Sequence, residues 1–285
     1  MPHIAYVNGR YLPADRAAVS IEDRGYQFAD GVYEVCELRG GKLIDERRHM
    51  ARLDRSLSEL GIARPMSAAA LSLVLHEVAA RNRVRDGTVY VQVTRGAARR
   101  DFPFPPAGTP PTLMVIARSA DPARLAKLAA DGISVVTMPD IRWGRVDIKS
   151  VALLPNVLAK QAAVEQGARE AWLVDGQGRV TEGASSSAWI VSPDGVLITR
   201  PLGNDILPGI TRAVVMDVVK AQGLKFEERP FTVAEAYAAR EAFITSASQL
   251  VMPVVRIDGR PVGNGAPGLV AAALRRDYHR YAEKS

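Results

Sequence analysis

The stretch REAWLVDGQGRVTEGASSSAWIVSPDGVLIT, residues 169–199, decides how this chain folds. Four short apolar segments, REAWLVD, RVTEG, SAWIV and VLIT, are parted by the turn signals DGQG and PDG. Segments this short, bounded by Gly, Pro and Asp, read as strands rather than helices. Outward in both directions the same rhythm continues, with GISVVTM at 132–138, EAFITS at 241–246 and VVRID at 254–258. In this half of the chain helices are expected at about 151–166, 210–222 and 266–282. Many short strands with few long helices predict a barrel-like, strongly curved sheet.

Toward the N-terminus the rhythm changes. IAYVNGRYL alternates apolar and polar residues about Asn8-Gly9 and reads as a hairpin. GVYEVCELR and KLID form a second strand pair about Gly40-Gly41. Met50, Leu53, Leu57 and Leu60 share one face of a helix closed by Gly61, and Ser67 is placed to cap a second helix reaching about Arg83. The strand TVYVQVTR, the Pro-rich loop RRDFPFPPAGTPP and the strand TLMVIAR complete this part. The fold class expected is therefore α+β. A small N-terminal α/β domain covers 1–120, and a larger C-terminal barrel-like α/β domain covers 121–285, with a linker at Asp121-Pro122.

The chain has 285 residues, 47% hydrophobic and 24% charged, which fits a globular protein. Apolar runs fall short of the roughly 20 residues that span a bilayer, so no membrane span is expected. MPHIAYVNGR lacks the basic-then-apolar pattern of a signal peptide. With Cys36 the single cysteine, no internal disulfide can form, and a cytoplasmic location is expected. The net charge of +6 comes from 37 basic and 31 acidic residues. Arginines alternate with acids, as in DERRHMARLDRSLSE, instead of gathering into the stripe a nucleic-acid binder needs. Seven of the 37 basic residues are lysines, so lysine chemistry has few candidates.

Lys149 is the first of these. It lies in WGRVDIKSVALLPNVLAKQ, ahead of an apolar helix, where partial desolvation favours the neutral, nucleophilic amine. Taken alone, the motif reads as well as a lysine paired with Asp147. Lys160, the neighbouring candidate, is expected on the solvated helix face. VTEGASSS could turn Glu182 inward, where a buried carboxylate needs a cation, although the motif alone also reads as a polar turn. LPGITR opens a helix at Ile210 and Thr211, whose N–H groups suit a phosphate. FITSAS offers Ser246 and Ser248 in a similar turn. No metal site is expected.

With these motifs the chain resembles the fold-type IV pyridoxal-phosphate aminotransferases, most closely the D-amino-acid aminotransferases. The resembling segments run in one order over nearly the whole chain: DRGYQFADGVYE, RHMARL, VQVTRG, DIRWGRVDIKS with LLPNVLAKQ, VTEGASSS, LPGITR, and FITSAS followed by PVVRIDG.

The resemblance implies pyridoxal 5'-phosphate as cofactor. Lys149 would carry the internal aldimine and shuttle the proton between substrate Cα and cofactor C4′, and Glu182 would face the pyridine nitrogen. Arg52, Ile210, Thr211, Ser246 and Ala247 would hold the phosphate, with Ala247 standing where a hydroxyl residue is common. Tyr33, Tyr90, Arg100 and Phe102 would face the substrate. In the D-specific enzymes an arginine and, two residues on, a histidine reach in from the partner subunit; here Arg100 matches the arginine and Phe102 replaces the histidine. Implied partners are amino acids, 2-oxo acids and a second copy of the chain, with neither nucleic acid nor membrane. A branched-chain L-amino-acid aminotransferase, an (R)-amine transaminase or an aminodeoxychorismate lyase would retain Lys149 and Glu182.

Overall fold

The structure, a computed structural model, describes residues 3–285. The chain divides into two compact units. One holds the chain up to Asp121 together with Ile148–Ala152 and Glu283–Ser285; the other holds Pro122–Asp147 and Leu153–Ala282.

In the first unit, β1 (Ile4–Val7), β2 (Arg10–Pro13), α1 (Arg24–Phe28), β3 (Gly31–Arg39), β4 (Lys42–Leu43), α2 (Glu46–Glu59), α3 (Ala68–Arg81), β5 (Gly87–Thr94) and β6 (Thr112–Ser119) follow one another. The six strands form one antiparallel sheet in the order β2-β1-β6-β5-β3-β4. Asn8 and Gly9 both take positive φ, 44° and 90°, as the first hairpin's two-residue turn requires. Ser67 caps α3 by accepting from the Ala70 N–H. Alternation along β3 sends Val32, Cys36 and Leu38 into a core with Leu53 and Leu57 of α2 and Leu75 and Val78 of α3. Tyr33, Val35 and Glu37 take the opposite, half-buried face.

The second unit contains α4 (Pro122–Asp131), β7 (Ile133–Pro139), α5 (Leu154–Glu165), β8 (Glu170–Val174), β9 (Arg179–Gly183), β10 (Ser187–Val191), β11 (Leu197–Thr199) and α6 (Ile210–Ala221). It continues with β12 (Phe226–Glu228), β13 (Phe231–Thr232), α7 (Val233–Ala238), β14 (Glu241–Ser246), β15 (Leu250–Ile257), β16 (Arg260–Pro261) and α8 (Leu269–Tyr281). Ten strands make a mixed, curled sheet in the order β12-β11-β10-β14-β15-β7-β8-β9-β13, with β16 against β15. All five residues of β10 are buried, as are seven of the eight in β15. Such strands read as continuous apolar runs because both faces are covered.

Three expectations change. The segments 148–152 and 283–285 leave the C-terminal part and join the first unit, because their backbones pair with it: Val32 bridges Ser150, and Ile44 bridges Lys284. Where a linker was expected after Asp121, α4 begins directly at Pro122, a residue whose fixed φ suits a helix start. The helix expected over 151–166 begins only at Leu154, since Pro155 stands in its first turn. A further helix, α7, was not expected, although its capping box, Thr232 and Glu235, is legible as TVAE.

Candidate active site

In the first unit Lys149 is held by its own backbone. Its carbonyl accepts from the Tyr33 N–H at 3.0 Å, its N–H donates to Ser56 Oγ at 3.2 Å, and the Val151 N–H donates to Gly31 O at 3.0 Å. Lys149 is half-buried, and its Nζ lies 4.3 Å from the centre of the Tyr33 ring, within cation–π range. Of the apolar residues that follow Lys149, Val151 and Leu153 are half-buried and Leu154, Val157 and Leu158 are exposed, and the Tyr33 ring is the apolar face against Nζ. Asp147, the alternative partner, binds Arg145 at 2.9 Å.

Tyr33 stacks on Tyr90 with ring centres 5.5 Å apart, and the Tyr90 hydroxyl donates to Gln92 Oε1 at 2.7 Å. Burial, with a smaller contribution from Tyr33, pushes the Tyr90 phenol above its usual range. Lys149, Tyr33 and Tyr90 therefore form one group.

Arg52 points to the other face of β3. Its Nε and Nη2 donate to the two oxygens of Glu34 at 2.7 and 2.9 Å, and His49 Nδ1 lies 2.8 Å from the same carboxylate. Burial raises the Glu34 carboxyl, but the charge and hydrogen bonds of Arg52, with His49, outweigh it and hold it far below the ordinary range.

Arg100 and Phe102 stand apart on an exposed loop. The Arg100 guanidinium lies 5.0 Å over the Phe28 ring and 6.0 Å from that of Phe102. Arg24 anchors this loop from below, donating to Asp101 O at 2.7 Å and Phe102 O at 3.3 Å.

The second unit contributes a different set of groups. Glu182 is buried on β9, accepts from Arg142 Nη1, and takes the Leu207 N–H at 3.2 Å on each oxygen. Arg142 also binds Asp140 through Nε at 2.9 Å and Nη2 at 2.7 Å, and Thr181 Oγ1 donates to Asp140 at 2.7 Å. For Arg142 burial disfavours the charge, yet Asp140 and Glu182 more than offset it and hold the guanidinium firmly protonated. The Asp140 carboxyl is raised by burial, lowered more strongly by Arg142, and lies below its usual value.

Two residues beyond Leu207, Gly209 starts α6 without a side-chain cap. A Cβ on Gly209 would come within 2.9 Å of Ser187 Oγ, so the chain passes here as bare backbone. Ile210 and Thr211 thus open the helix, where N–H groups favour anions. Ser187 is also the register partner of Thr245, so the β14 turn carrying Ser246 and Ala247 adjoins the same residue. Ser246 Oγ is buried with no hydrogen-bond partner among the described residues. The serine turn itself hangs on Glu170, which accepts from Ser185 Oγ at 2.6 Å and Ser186 Oγ at 3.2 Å. Lys160 is not on a freely solvated face: its Nζ donates to Arg169 O at 2.6 Å and lies 3.3 Å from Glu170.

Sequence reasoning missed Arg142, Asp140, Glu170 and Arg24. Asp140 and Arg142 stand within DIRWGRVDIKS, a motif whose lysine alone signals chemistry at the level of sequence. Among the described residues no cluster of three or more His, Cys, Asp or Glu could hold a metal ion, and no helix is long and apolar enough to cross a membrane.

A lysine amine against an aromatic face, a carboxylate paired with arginine, and anion donors at a helix start are groups of the kind that suit a phosphorylated cofactor. The chain belongs to the amino-transferase class IV family, whose model matches residues 31–257. It is similar to D-alanine aminotransferase of Staphylococcus haemolyticus, 40% identical over 278 residues that cover 98% of this chain and 97% of that protein. It is also similar to D-alanine aminotransferase of Bacillus licheniformis, 44% identical over 261 residues, 92% of this chain and 90% of the other. Among solved structures, a T.th. branched-chain amino acid aminotransferase with pyridoxamine 5'-phosphate superposes with a TM-score of 0.89 at 27% identity, covering 98% of this chain and 94% of that one.

Proposed function

We propose that this protein is a pyridoxal-phosphate-dependent aminotransferase that moves an amino group between a D-amino acid and a 2-oxo acid. The observation that carries the reading is the likeness to D-alanine aminotransferases along nearly the full length of both chains. The donor set fits the cofactor: an orphaned buried hydroxyl at Ser246 and the uncapped start of α6 suit its phosphate, and the Glu182 carboxylate suits a protonated pyridine nitrogen. When bound, pyridoxal phosphate supplies an electrophilic carbonyl carbon and a ring that accepts the electron pair from the substrate Cα.

Lys149 would hold the cofactor at that carbonyl carbon, and its Nζ would take and return the proton at the substrate Cα. Tyr33 limits where the lysine amine can swing. Ile210, Thr211, Ser246 and the segment at Ala247 bind the phosphate, with Arg52 as a further cation. Arg52 reaches this role already fixed by Glu34, so its position costs little additional ordering on binding. Arg100 binds the substrate carboxylate and Phe102 forms an apolar wall, both acting on the site of a second copy in a homodimer. Tyr90 lines the substrate side behind Tyr33. The single buried thiol, Cys36, supports a reducing, cytoplasmic setting.

The test is a panel of D- and L-amino acids with pyruvate or 2-oxoglutarate, run beside borohydride reduction of the yellow protein. Turnover of D-substrates and a reduced adduct on Lys149 are expected. Lys149→Ala should lose about 10²–10⁴-fold in rate, the span of proton-transfer catalysis. An adduct on Lys160 would overturn the lysine assignment. Better turnover of L-amino acids would overturn the D-specific reading in favour of a branched-chain enzyme.

A further inference from the structure

Arg142 is the buried hub of the second unit's polar cluster, with 5% of its side chain exposed. It donates to Glu182 through Nη1 and to both oxygens of Asp140 through Nε and Nη2, while its Nη2 also reaches Asp205 O at 3.2 Å. Two carboxylates, Asp140 and Glu182, thus share this one guanidinium. Nearby, Arg200 pairs with Asp175 at 3.1 Å and with Asp205, whose carbonyl Arg142 also reaches. In such low-dielectric surroundings a charge in direct contact acts strongly on its neighbour and is little screened by salt.

Resting on the function proposed above, we infer that Arg142 is a positioning residue that keeps Glu182 ionised and weakly basic, so that the proton shared with the cofactor's pyridine nitrogen stays on the nitrogen, and that Asp140 sets how much of the Arg142 charge Glu182 feels. The electron-accepting form of the ring is the protonated one, so this division of charge bears on the reaction itself. Arg142 touches Glu182 directly, and its charge therefore weighs more on the carboxylate than on any group beyond it. A cation in such contact changes a carboxylate's proton affinity about ten- to a thousandfold. Asp140 binds the opposite edge of the guanidinium and draws the other way.

The two residues should therefore act with opposite signs, which a structural role would not produce. The protein is loaded with pyridoxal phosphate carrying ¹⁵N at the ring nitrogen. The ¹⁵N chemical shift is read for wild type, Arg142→Met, Arg142→Lys and Asp140→Asn, and cofactor retention is measured by equilibrium dialysis. Arg142→Met should move the resonance toward unprotonated pyridine, and Asp140→Asn toward pyridinium. Arg142→Lys, which keeps the charge, should stay near wild type. Should Arg142→Met fail to fold, Asp140→Asn and Arg142→Lys still carry the test, since a shift toward unprotonated pyridine in Asp140→Asn would overturn the inference. Shifts of the same sign in Arg142→Met and Asp140→Asn, or no shift in either, would overturn it too. Wild-type protein that retains no cofactor would instead overturn the functional reading beneath it.

Discussion

Each unit buries an arginine against a carboxylate, and the two pairs are built differently. In the first unit Glu34 is wholly enclosed, and Arg52 meets both of its oxygens while His49 adds a third contact. One cation faces one anion, and the pair ties α2 to β3. In the second unit one guanidinium, Arg142, is divided between Glu182 and Asp140. A buried ion pair with every lone pair satisfied is a clamp whose breakage leaves an uncompensated charge. A guanidinium shared by two carboxylates leaves each of them less completely neutralised by it than a private pair would. The same two residue types thus make a closed pair in one unit, which fixes Arg52 ahead of its proposed role at the phosphate, and a shared guanidinium in the other.

Glu34→Gln puts the first half of this comparison at greatest risk. Removing one partner of a buried pair costs about 3–5 kcal/mol, and denaturant unfolding should record a loss of that order. The pH dependence has a definite sign. Glu34 has a depressed folded-state pKa, so its stabilisation is fully present above the unfolded carboxylate value of about 4.3 and is lost as pH falls toward the folded value. Glu34→Gln should flatten this acid limb. An unchanged acid limb would show that the clamp contributes little.

Glu182→Gln should show the reverse pattern, retaining most of its stability while single-turnover rates fall about 10²–10³-fold. Destabilisation as large as that of Glu34→Gln would erase the distinction between the units. Arg100→Ala should be milder, raising KM for a D-amino acid about tenfold, or roughly 1.4 kcal/mol, with Phe102→Ala changing side-chain preference more than affinity. An unchanged KM would place carboxylate recognition elsewhere. The smallest effect belongs to Cys36. Burial first, then the negative charges of Glu34 and Glu46, push its thiol well above the usual range. A thiol reagent should therefore label Cys36 only after unfolding, and rapid labelling of native protein would show that the first unit's core opens.

Much of this molecule is written locally. The Asn8-Gly9 turn, the Ser67 cap and the apolar face of α2 depend on residues a few positions apart, and the structure contains each where local rules put it. The motifs around Lys149, Glu182 and Ile210-Thr211 stand out by residue type, but it is their order along the chain and the resemblance it carries that give them their proposed roles. What the sequence could not determine was pairing at long range. Lys149 joins the first unit's sheet through Tyr33, more than a hundred residues earlier, although its neighbours along the chain belong to the second. Arg142 meets Glu182 from 40 residues away, and Arg52 meets Glu34 across a strand-to-helix packing. Periodicity says which face of an element turns inward, whereas the charge waiting on the opposing element is settled only when the two pack and a buried ion must find its partner.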